Sequence, residues 1–130
     1  MKLLLDTHTW IWWNLSPQKL SEKALKTIQS HPDEILLSSI SLWEFSKLAQ
    51  KKRIYISIDA LSWIKEALKK LPLRVIDLTP EIIVTSTTLP QPFHDDPADQ
   101  LIVATARSEN AILITADQEI LHYPHAKTLW

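Results

Sequence analysis

Four short, mainly apolar runs, separated by segments with helical periodicity, constrain the fold of this chain most strongly. The runs read KLLL, EILLSS, LRVIDL and AILIT, at residues 2–5, 34–39, 73–78 and 111–115. Short runs in which neighbouring residues are apolar are typical of strands buried on both faces. Because these strands alternate with helical segments, we predict an α/β fold with a mainly parallel sheet covered by helices on both faces.

The segments between the strands carry helix-start signals. Thr79-Pro80 supplies a cap and a proline at the first helical position. The helix over 58–71 is expected to present one apolar face, formed by Ile58, Leu61, Ile64, Leu68 and Leu71. The tail HAKTLW is expected to add a strand. The predicted helices cover residues 7–15, a segment after Ser21, residues 41–50, residues 58–71, a segment from Thr79, residues 97–109 and a short turn over 117–121.

Length and composition narrow the class of protein. The 130 residues suffice for one domain, spanning 1–130, and the absence of cysteine fits a reducing compartment. Asp6 and His8 interrupt the first apolar run too early for a signal peptide, and no run is long enough to span a bilayer, so we expect a cytoplasmic protein. The absence of glycine excludes a P-loop and a dinucleotide-binding fingerprint. With a formal charge of −1, any nucleic-acid binding has to rest on a local basic patch.

Acidic residues follow the predicted strands. In parallel sheets the ligand site lies beyond the carboxyl ends of the strands. Asp6 follows the first strand, Ser41 to Glu44 the second, and Asp117 the strand AILIT, while Asp96 and Asp99 open the helix that leads into that strand. The sequence therefore places its acids where a site is expected.

Helix capping explains each acid when it is taken alone. Asp96, Pro97 and Asp99 match an N-cap, a proline at the first helical position and an acid at the third. The pair Ser41 and Glu44 fits the capping-box spacing, and Asp6 and Asp117 can cap the helices that follow them.

Taken together, the acids indicate a cation. Two carboxylates about 5 Å apart repel by roughly 3 kcal/mol at an effective dielectric near 20, and a helix N-terminus offsets only about 0.3–1 kcal/mol. If the acids meet, either some bind protons or a cation lies among them, and oxygen ligands without cysteine favour Mg²⁺ or Mn²⁺. Such an ion can activate water for hydrolysis of a nucleic-acid phosphodiester. His8 and His94 lie close to the acids in sequence, either in a supporting role or simply solvated.

Four motifs in order along the chain resemble the PIN-domain family, specifically the VapC-type toxin ribonucleases of toxin–antitoxin pairs. They read LLLDTHTWIWW, SSISLWEFSKL, FHDDPADQLIVATA and ILITADQEILHYP followed by TLW. The resemblance implies a Rossmann-like three-layer α/β/α fold, Mg²⁺- or Mn²⁺-dependent endoribonuclease activity on RNA, a homodimer and inhibition by a partner antitoxin. Its metal-binding, catalytic acids correspond here to Asp6, Glu44, Asp99 and Asp117, with Asp96 as an additional acid and Thr115 and Ser41 in supporting positions beside them.

The chain departs from the family pattern at two positions. Gln100 stands where an arginine usually follows the aspartate, which puts any ion pair or phosphate contact of that arginine in doubt. Lys52 stands where a glycine usually follows the helix that bears the glutamate. Both departures leave the carboxylates intact.

Two surface features suggest partners. The basic run Lys47, Lys51, Lys52 and Arg53 is a candidate RNA contact, or else a solvated helix end where cations are favoured anyway. Residues 10–13 contain three tryptophans that cannot all face one core from a single helical turn. An exposed tryptophan among them would favour a protein interface. The alternative is that neighbouring helices bury all three.

Two other classes of function remain open on the sequence. A receiver-like phospho-acceptor domain has this length and an acidic Mg²⁺ pocket, but it carries paired acids after its first strand and a lysine after its last. A haloacid-dehalogenase-like phosphatase needs the motif D-x-D, and this chain has Asp6-Thr7-His8 at that position. A non-catalytic PIN-fold binding module would keep the fold for partner contacts alone.

Overall fold

The computed structural model describes residues 1–130 and contains one sheet of five parallel strands, which confirms the predicted strand arrangement. The strands are β1 (Leu3–Leu5), β2 (Ile35–Ser38), β3 (Arg74–Ile76), β4 (Ile112–Ile114) and β5 (Thr128–Leu129). Their order across the sheet is β3-β2-β1-β4-β5, so the first strand occupies the centre. In register, Leu4 pairs with Leu36 on one side and with Leu113 on the other.

Seven α-helices connect and cover the strands. They are α1 (Thr7–Leu15), α2 (Glu22–Ser30), α3 (Ser39–Gln50), α4 (Ala60–Lys70), α5 (Pro80–Thr87), α6 (Pro97–Glu109) and α7 (Gln118–Leu121), with a 3₁₀ turn at Pro17–Lys19 that the sequence analysis did not anticipate. The side chains of Ser21, Thr79 and Asp96 accept backbone hydrogen bonds at the helix starts, as predicted. None of the helices combines the length and apolarity needed to cross a membrane.

The alternation of side chains along β1 divides the core into two layers. Leu4 packs with Ile102 and Val103 on the side covered by α5, α6 and α7. Leu3 and Leu5 pack on the opposite side, where α1 to α4 supply a cluster that contains Trp10 and Phe45. Since both faces of β1 are fully buried, the three-layer α/β/α arrangement predicted from the sequence is confirmed.

The start of α3 differs from the prediction. The helix begins at Ser39, and Ser38 is its N-cap, with its hydroxyl accepting from the backbone N–H of Ile40 at 3.3 Å. The capping box predicted at Ser41 and Glu44 is therefore wrong. Because the last residue of β2 already supplies a capping hydroxyl, the helix starts earlier, and Ser41 lies inside it with a buried side chain.

The buried face of α4 also differs from the prediction. Leu61 is 61% exposed, and Ile58 precedes the helix and is exposed. Trp63 stacks on Phe45 with ring centroids 4.2 Å apart and meets Trp10 edge-on at 5.5 Å. This aromatic packing turns the helix so that its inner side consists of Ala60, Trp63, Ile64, Ala67 and Leu68.

The three tryptophans near the N-terminus differ in burial, but all three pack with the same core cluster, so the expectation that they cannot all face one core is wrong. Trp10 is fully buried, whereas Trp12 and Trp13 are only partly buried and pack at the margin of the core. The ring of Trp12 lies 6.0 Å from that of Trp130, which brings the two ends of the chain together.

Two helices end in turns that normally contain glycine. Lys52 at the end of α3 has φ 57°, and Asn110 at the end of α6 has φ 51°. Beyond α3, the N–H of Lys52 donates to the carbonyl of Ala49 and that of Arg53 to Leu48, the two bonds of a Schellman motif. Asparagine tolerates the left-handed region, whereas lysine is strained there by its Cβ.

We expect Lys52→Gly to raise the free energy of unfolding by about 0.5–1 kcal/mol. Removing the Cβ relieves about 1–2 kcal/mol of strain in the folded state. Glycine also gives the unfolded chain more conformational freedom, which lowers the free energy of unfolding by about 0.5–1 kcal/mol. Urea unfolding measures the difference. Lys51→Gly is the matched control, because Lys51 has φ −82° and should lose stability on the same change. A loss of stability in Lys52→Gly would contradict the assigned strain.

Candidate active site

The predicted acids line one cleft of about 450 Å³ beyond the carboxyl ends of the central strands. Asp6 directly follows β1, Glu44 lies on α3, Asp96 and Asp99 lie at the start of α6, and Asp117 follows β4. The cleft is lined by Asp6, Thr7, His8, Trp12, Glu44, Asp96, Asp99, Ala116 and Asp117. The structure thus brings all four principal acids and Asp96 to the same edge of the sheet.

Asp6 is the most buried of these carboxylates, and both of its oxygens accept hydrogen bonds. The side chain is held by the backbone N–H of Thr7 at 2.8 Å and by the hydroxyl of Thr115 at 2.6 Å. Thr115 is fully buried and also accepts from the N–H of Asp117 at 3.0 Å. The hydroxyl of Thr115 therefore ties Asp6 to Asp117, a supporting position like the one expected for it.

Glu44 is held by a chain of two buried hydroxyls. Thr7 donates its hydroxyl proton to a carboxylate oxygen of Glu44, and the hydroxyl oxygens of Thr7 and Ser41 lie 2.8 Å apart. Because the proton of Thr7 is used toward Glu44, Ser41 has to donate to Thr7. The family resemblance placed Ser41 beside the acids, but the sequence assigned Thr7 no role at the site. Its hydroxyl, directly after Asp6 at the end of a strand, was the signal.

The acids at the start of α6 have different roles. Asp96 is the N-cap and accepts from the N–H of Asp99 at 3.1 Å. Asp99 leaves its own carboxylate free of capping, with one oxygen 2.7 Å from Nε2 of His94. The other nitrogen of His94 lies 2.9 Å from Glu119, which the sequence did not single out. Gln100 donates to the carbonyl of His94 at 3.0 Å and so fixes the loop that carries this histidine.

Asp117 caps a helix and lines the cleft at the same time. Its carboxylate accepts from the N–H groups of Glu119 at 2.9 Å and Ile120 at 3.4 Å, at the start of α7. For Asp6, Asp96 and Asp117, the capping explanation and the site explanation are therefore compatible. A carboxylate at a helix start is favoured in its ionised form by the helix dipole.

The electrostatics of the cleft reflect the crowding of negative charge. Burial raises the pKa of Asp6, Glu44 and Asp99, and nearby carboxylates raise them further. The pKa of Asp99 reaches about 7, through burial first and then the charges of Asp6, Asp96 and Asp117, in spite of the hydrogen bond with His94. Burial opposes protonation of His94, but its contacts with Asp99 and Glu119 raise its pKa overall. The repulsion expected from the sequence is present.

The donor atoms fit a hard divalent cation, but they are not drawn together around one point. The side chains offered are carboxylates and one imidazole, with no sulfur ligand in the chain. No three histidine, aspartate or glutamate side chains form a ready-made metal cluster. The carboxylates instead line the walls of an open cleft, and binding a metal ion would require them to draw closer together.

A second groove, of about 290 Å³, adjoins the cleft. It is lined by His8, Trp43, Glu44, Lys47, Leu48, Lys51 and Arg53, so it shares His8 and Glu44 with the acidic cleft. Three of the four basic residues predicted to contact RNA therefore border the acids, while Lys52 lies in the turn outside the groove lining.

Comparison with known proteins agrees with the fold. The family profile of the PIN domain matches residues 3–126. A curated relative from Mycobacterium tuberculosis, Ribonuclease VapC22, is 37% identical over 130 residues, which cover 98% of this chain and 98% of that protein.

Solved structures of similar fold include a toxin–antitoxin complex from Klebsiella pneumoniae, with a TM-score of 0.71, 21% identity and coverage of 99% of this chain and 97% of the other. The VapBC2 structure from Rickettsia felis, bound to a DNA fragment from its promoter, gives a TM-score of 0.73 at 18% identity, with coverage of 99% and 98%. The profile match and the curated relative confirm the resemblance noted in the sequence: this chain belongs to the PIN-domain family.

Proposed function

We propose that this protein is a metal-dependent endoribonuclease that hydrolyses RNA phosphodiester bonds and acts as the toxin of a toxin–antitoxin pair. The observation that carries the proposal is the cleft that gathers Asp6, Glu44, Asp99 and Asp117, in which burial and neighbouring carboxylates raise the pKa of the first three. The curated relative is named a ribonuclease, and similar structures are toxin–antitoxin complexes. An antitoxin protein is accordingly the expected partner, and a homodimer the expected assembly.

The proposed cofactor is Mg²⁺ or Mn²⁺, held by Asp6, Glu44, Asp99 and Asp117, with Asp96 beside them. A divalent ion at such a site supplies a water of lowered pKa and stabilises the charge that develops on the phosphodiester. The crowded carboxylates support this choice, because a cation relieves the repulsion that otherwise has to be relieved by protons.

The chain's own residues prepare this site before any ion binds. Thr115 and Thr7 orient Asp6 and Glu44 through hydrogen bonds from their buried hydroxyl groups. His94 shares a proton with Asp99 through Nε2, while Glu119 holds its other nitrogen. His94 is thus placed to hold a proton at the edge of the cleft. The oxygen that leaves when the phosphodiester bond is hydrolysed requires such a proton.

The phospho-acceptor alternative is disfavoured by the environment of Asp6. This residue is 8% exposed, and both of its oxygens accept hydrogen bonds from Thr7 and Thr115. An acceptor carboxylate needs a free, accessible oxygen to attack phosphorus. A purely structural module is disfavoured as well, because acids that repel one another cost stability, and the carboxylate of Asp99 caps no helix in return.

Cleavage of single-stranded RNA in Mg²⁺ or Mn²⁺ is the direct test of the proposed activity. We expect cleavage to stop in EDTA and to fall in Asp6→Asn and Asp99→Asn by more than the roughly 100-fold that changes behind a metal site can cause. Gel analysis of labelled RNA measures the rate, and circular dichroism verifies folding.

Asp95→Asn is the matched control for this experiment. Asp95 is an exposed acid in the loop just before α6, but it does not line the cleft. Its variant should therefore cleave at the wild-type rate. Unchanged cleavage in folded Asp6→Asn and Asp99→Asn would refute the proposed site.

The raised pKa values predict an unusual dependence of stability on pH. The pKa of folded Asp99 is about 7, well above the value of about 3.9 for an aspartate in an unfolded chain, so the folded state binds more protons than the unfolded state between these pH values. The free energy of unfolding in EDTA should therefore fall as the pH rises from about 4 to about 7. At about 1.4 kcal/mol per pKa unit, and allowing for partial exposure, we expect Asp99 to account for about 1–3 kcal/mol of this fall.

Urea unfolding at pH 5 and pH 8 measures this effect, with Asp99→Asn as the comparison. The variant should lose less stability than the wild type across this range, and Mn²⁺ at pH 8 should stabilise the wild type but not the variant. Equal pH dependence in the two proteins would contradict the assigned proton on Asp99.

A further inference from the structure

We propose that the basic groove beside the acidic cleft binds the single-stranded RNA segment that flanks the cleaved bond, with one base stacked on Trp43. We call it the Trp43 groove and define it by Trp43, Lys47, Lys51 and Arg53. The proposal rests on the ribonuclease function proposed above and names the form of substrate and the residues that position it.

Trp43 is an exposed aromatic residue beside a buried site. Its side chain is 56% exposed, although its neighbour Glu44 is partly buried and lines the acidic cleft. Nζ of Lys47 lies 5.9 Å from the centroid of the Trp43 ring, within reach of a cation–π contact. An accessible indole with a cation at its side offers a base a stacking surface and its phosphate a positive charge.

The local sequence explains why the cations share this groove. Trp43, Lys47 and Lys51 recur every four residues and so lie on one face along α3 and its end. The turn at Lys52 then reverses the chain, and the N–H of Arg53 donates to the carbonyl of Leu48 at 2.9 Å. Arg53 is thereby returned to the groove that Leu48 also lines.

The cations of the groove have no carboxylate partners. None of Lys47, Lys51 and Arg53 forms a salt bridge, although the groove borders the most acidic part of the molecule. A phosphate is repelled by the acidic cleft and attracted by the groove next to it. Because the groove and the cleft share Glu44 and His8, a strand held in the groove continues past the acids.

An apolar hollow of about 420 Å³ on the α6 side completes the surface. Trp43 walls this hollow together with Ile40, Pro97 and Leu101, and Glu44 borders it as well. A base that is unstacked from its neighbours can pack there against an aromatic ring and aliphatic side chains. Base-paired RNA keeps its bases stacked inside the helix, so this surface suits an unpaired strand.

The surroundings of Trp43 favour RNA over a protein partner. Cores of protein interfaces are depleted in lysine, whereas grooves that bind single strands combine cations with aromatic side chains. Trp43 shares its groove with three cations that form no salt bridge, and Lys47 among them donates to the side-chain carbonyl of Gln50 at 3.1 Å. The charge of the groove therefore complements a phosphate backbone.

The test is the affinity of the full chain for a 5′-labelled, unstructured oligoribonucleotide of about 12 nucleotides, measured by fluorescence anisotropy in EDTA. We expect Trp43→Ala to weaken binding about 5- to 100-fold and Trp43→Phe to restore most of it, since stacking tolerates any aromatic ring. Wild-type protein should bind an oligonucleotide with abasic sites about as weakly as Trp43→Ala binds the intact one. Tyr55→Ala is the matched control, because Tyr55 is 89% exposed and lines neither the groove nor the cleft.

The cations have a separate readout. Lys47→Ala and Lys51→Ala should each lower the slope of log Kd against log salt by about 0.7, the value expected per phosphate contact on a single strand. Lys65→Ala, an exposed lysine on α4, should leave the slope unchanged.

Two results would overturn the proposal. One is wild-type affinity in folded Trp43→Ala. The other is a change in oligomeric state by light scattering without a change in RNA affinity, which would assign Trp43 to a protein contact.

These results differ from failure of the ribonuclease proposal. Asp99→Asn should abolish cleavage while retaining Trp43-dependent binding, and Trp43→Ala should raise KM and leave kcat close to the wild-type value. Absence of cleavage under all metal conditions would contradict the proposed enzyme and leave the binding result to be judged on its own.

Discussion

The burial of a carboxylate at the end of the central strand is the constraint on which the rest of the structure depends. Asp6 is 8% exposed, and a charge so placed is costly unless donors surround it. The N–H of Thr7 and the hydroxyl of Thr115 meet this need, each a bond to a charged group worth about 1.5–3 kcal/mol. These donors come from α1 and from the residue after β4, so the position of Asp6 requires that β1 and β4 lie side by side.

The same hydrogen bonds couple the acids to one another. Thr7 contacts Asp6 through its backbone and Glu44 through its hydroxyl, and Thr115 contacts Asp6 and Asp117. A shift of either threonine therefore moves two carboxylates at once. The two leucine-rich core layers on either side of β1 supply the stability that offsets this concentration of charge.

The sequence predicted the elements well because their signals are local. Fully apolar runs marked β1, β2 and β4, and the cap-and-proline pairs at Thr79 and Asp96 marked the starts of α5 and α6. The acids were located by one general rule, that ligand sites lie beyond the carboxyl ends of parallel strands.

What the sequence missed depends on contacts between distant residues. Thr7 meets Glu44 across 37 positions, and the pair of His94 and Glu119 depends on how the loop before α6 packs against α7. The buried face of α4 was assigned from periodicity alone, but the stacking of Trp63 on Phe45 decides it. Periodicity describes one helix, whereas its rotation is set by the surface on which it packs.

Helix α3 carries a carboxylate of the acidic cleft and an exposed aromatic side chain next to each other. Neighbouring residues on an α-helix point about 100° apart, so Glu44 faces the acidic cleft while Trp43 stands at the surface. One turn further, Lys47 follows Trp43 along the groove, and Leu48 follows Glu44 toward the core. Because Ser41 anchors the helix to Thr7 on its buried side, changes on the outer face leave the position of Glu44 fixed. The outer face can therefore vary in sequence while the acidic cleft keeps its geometry.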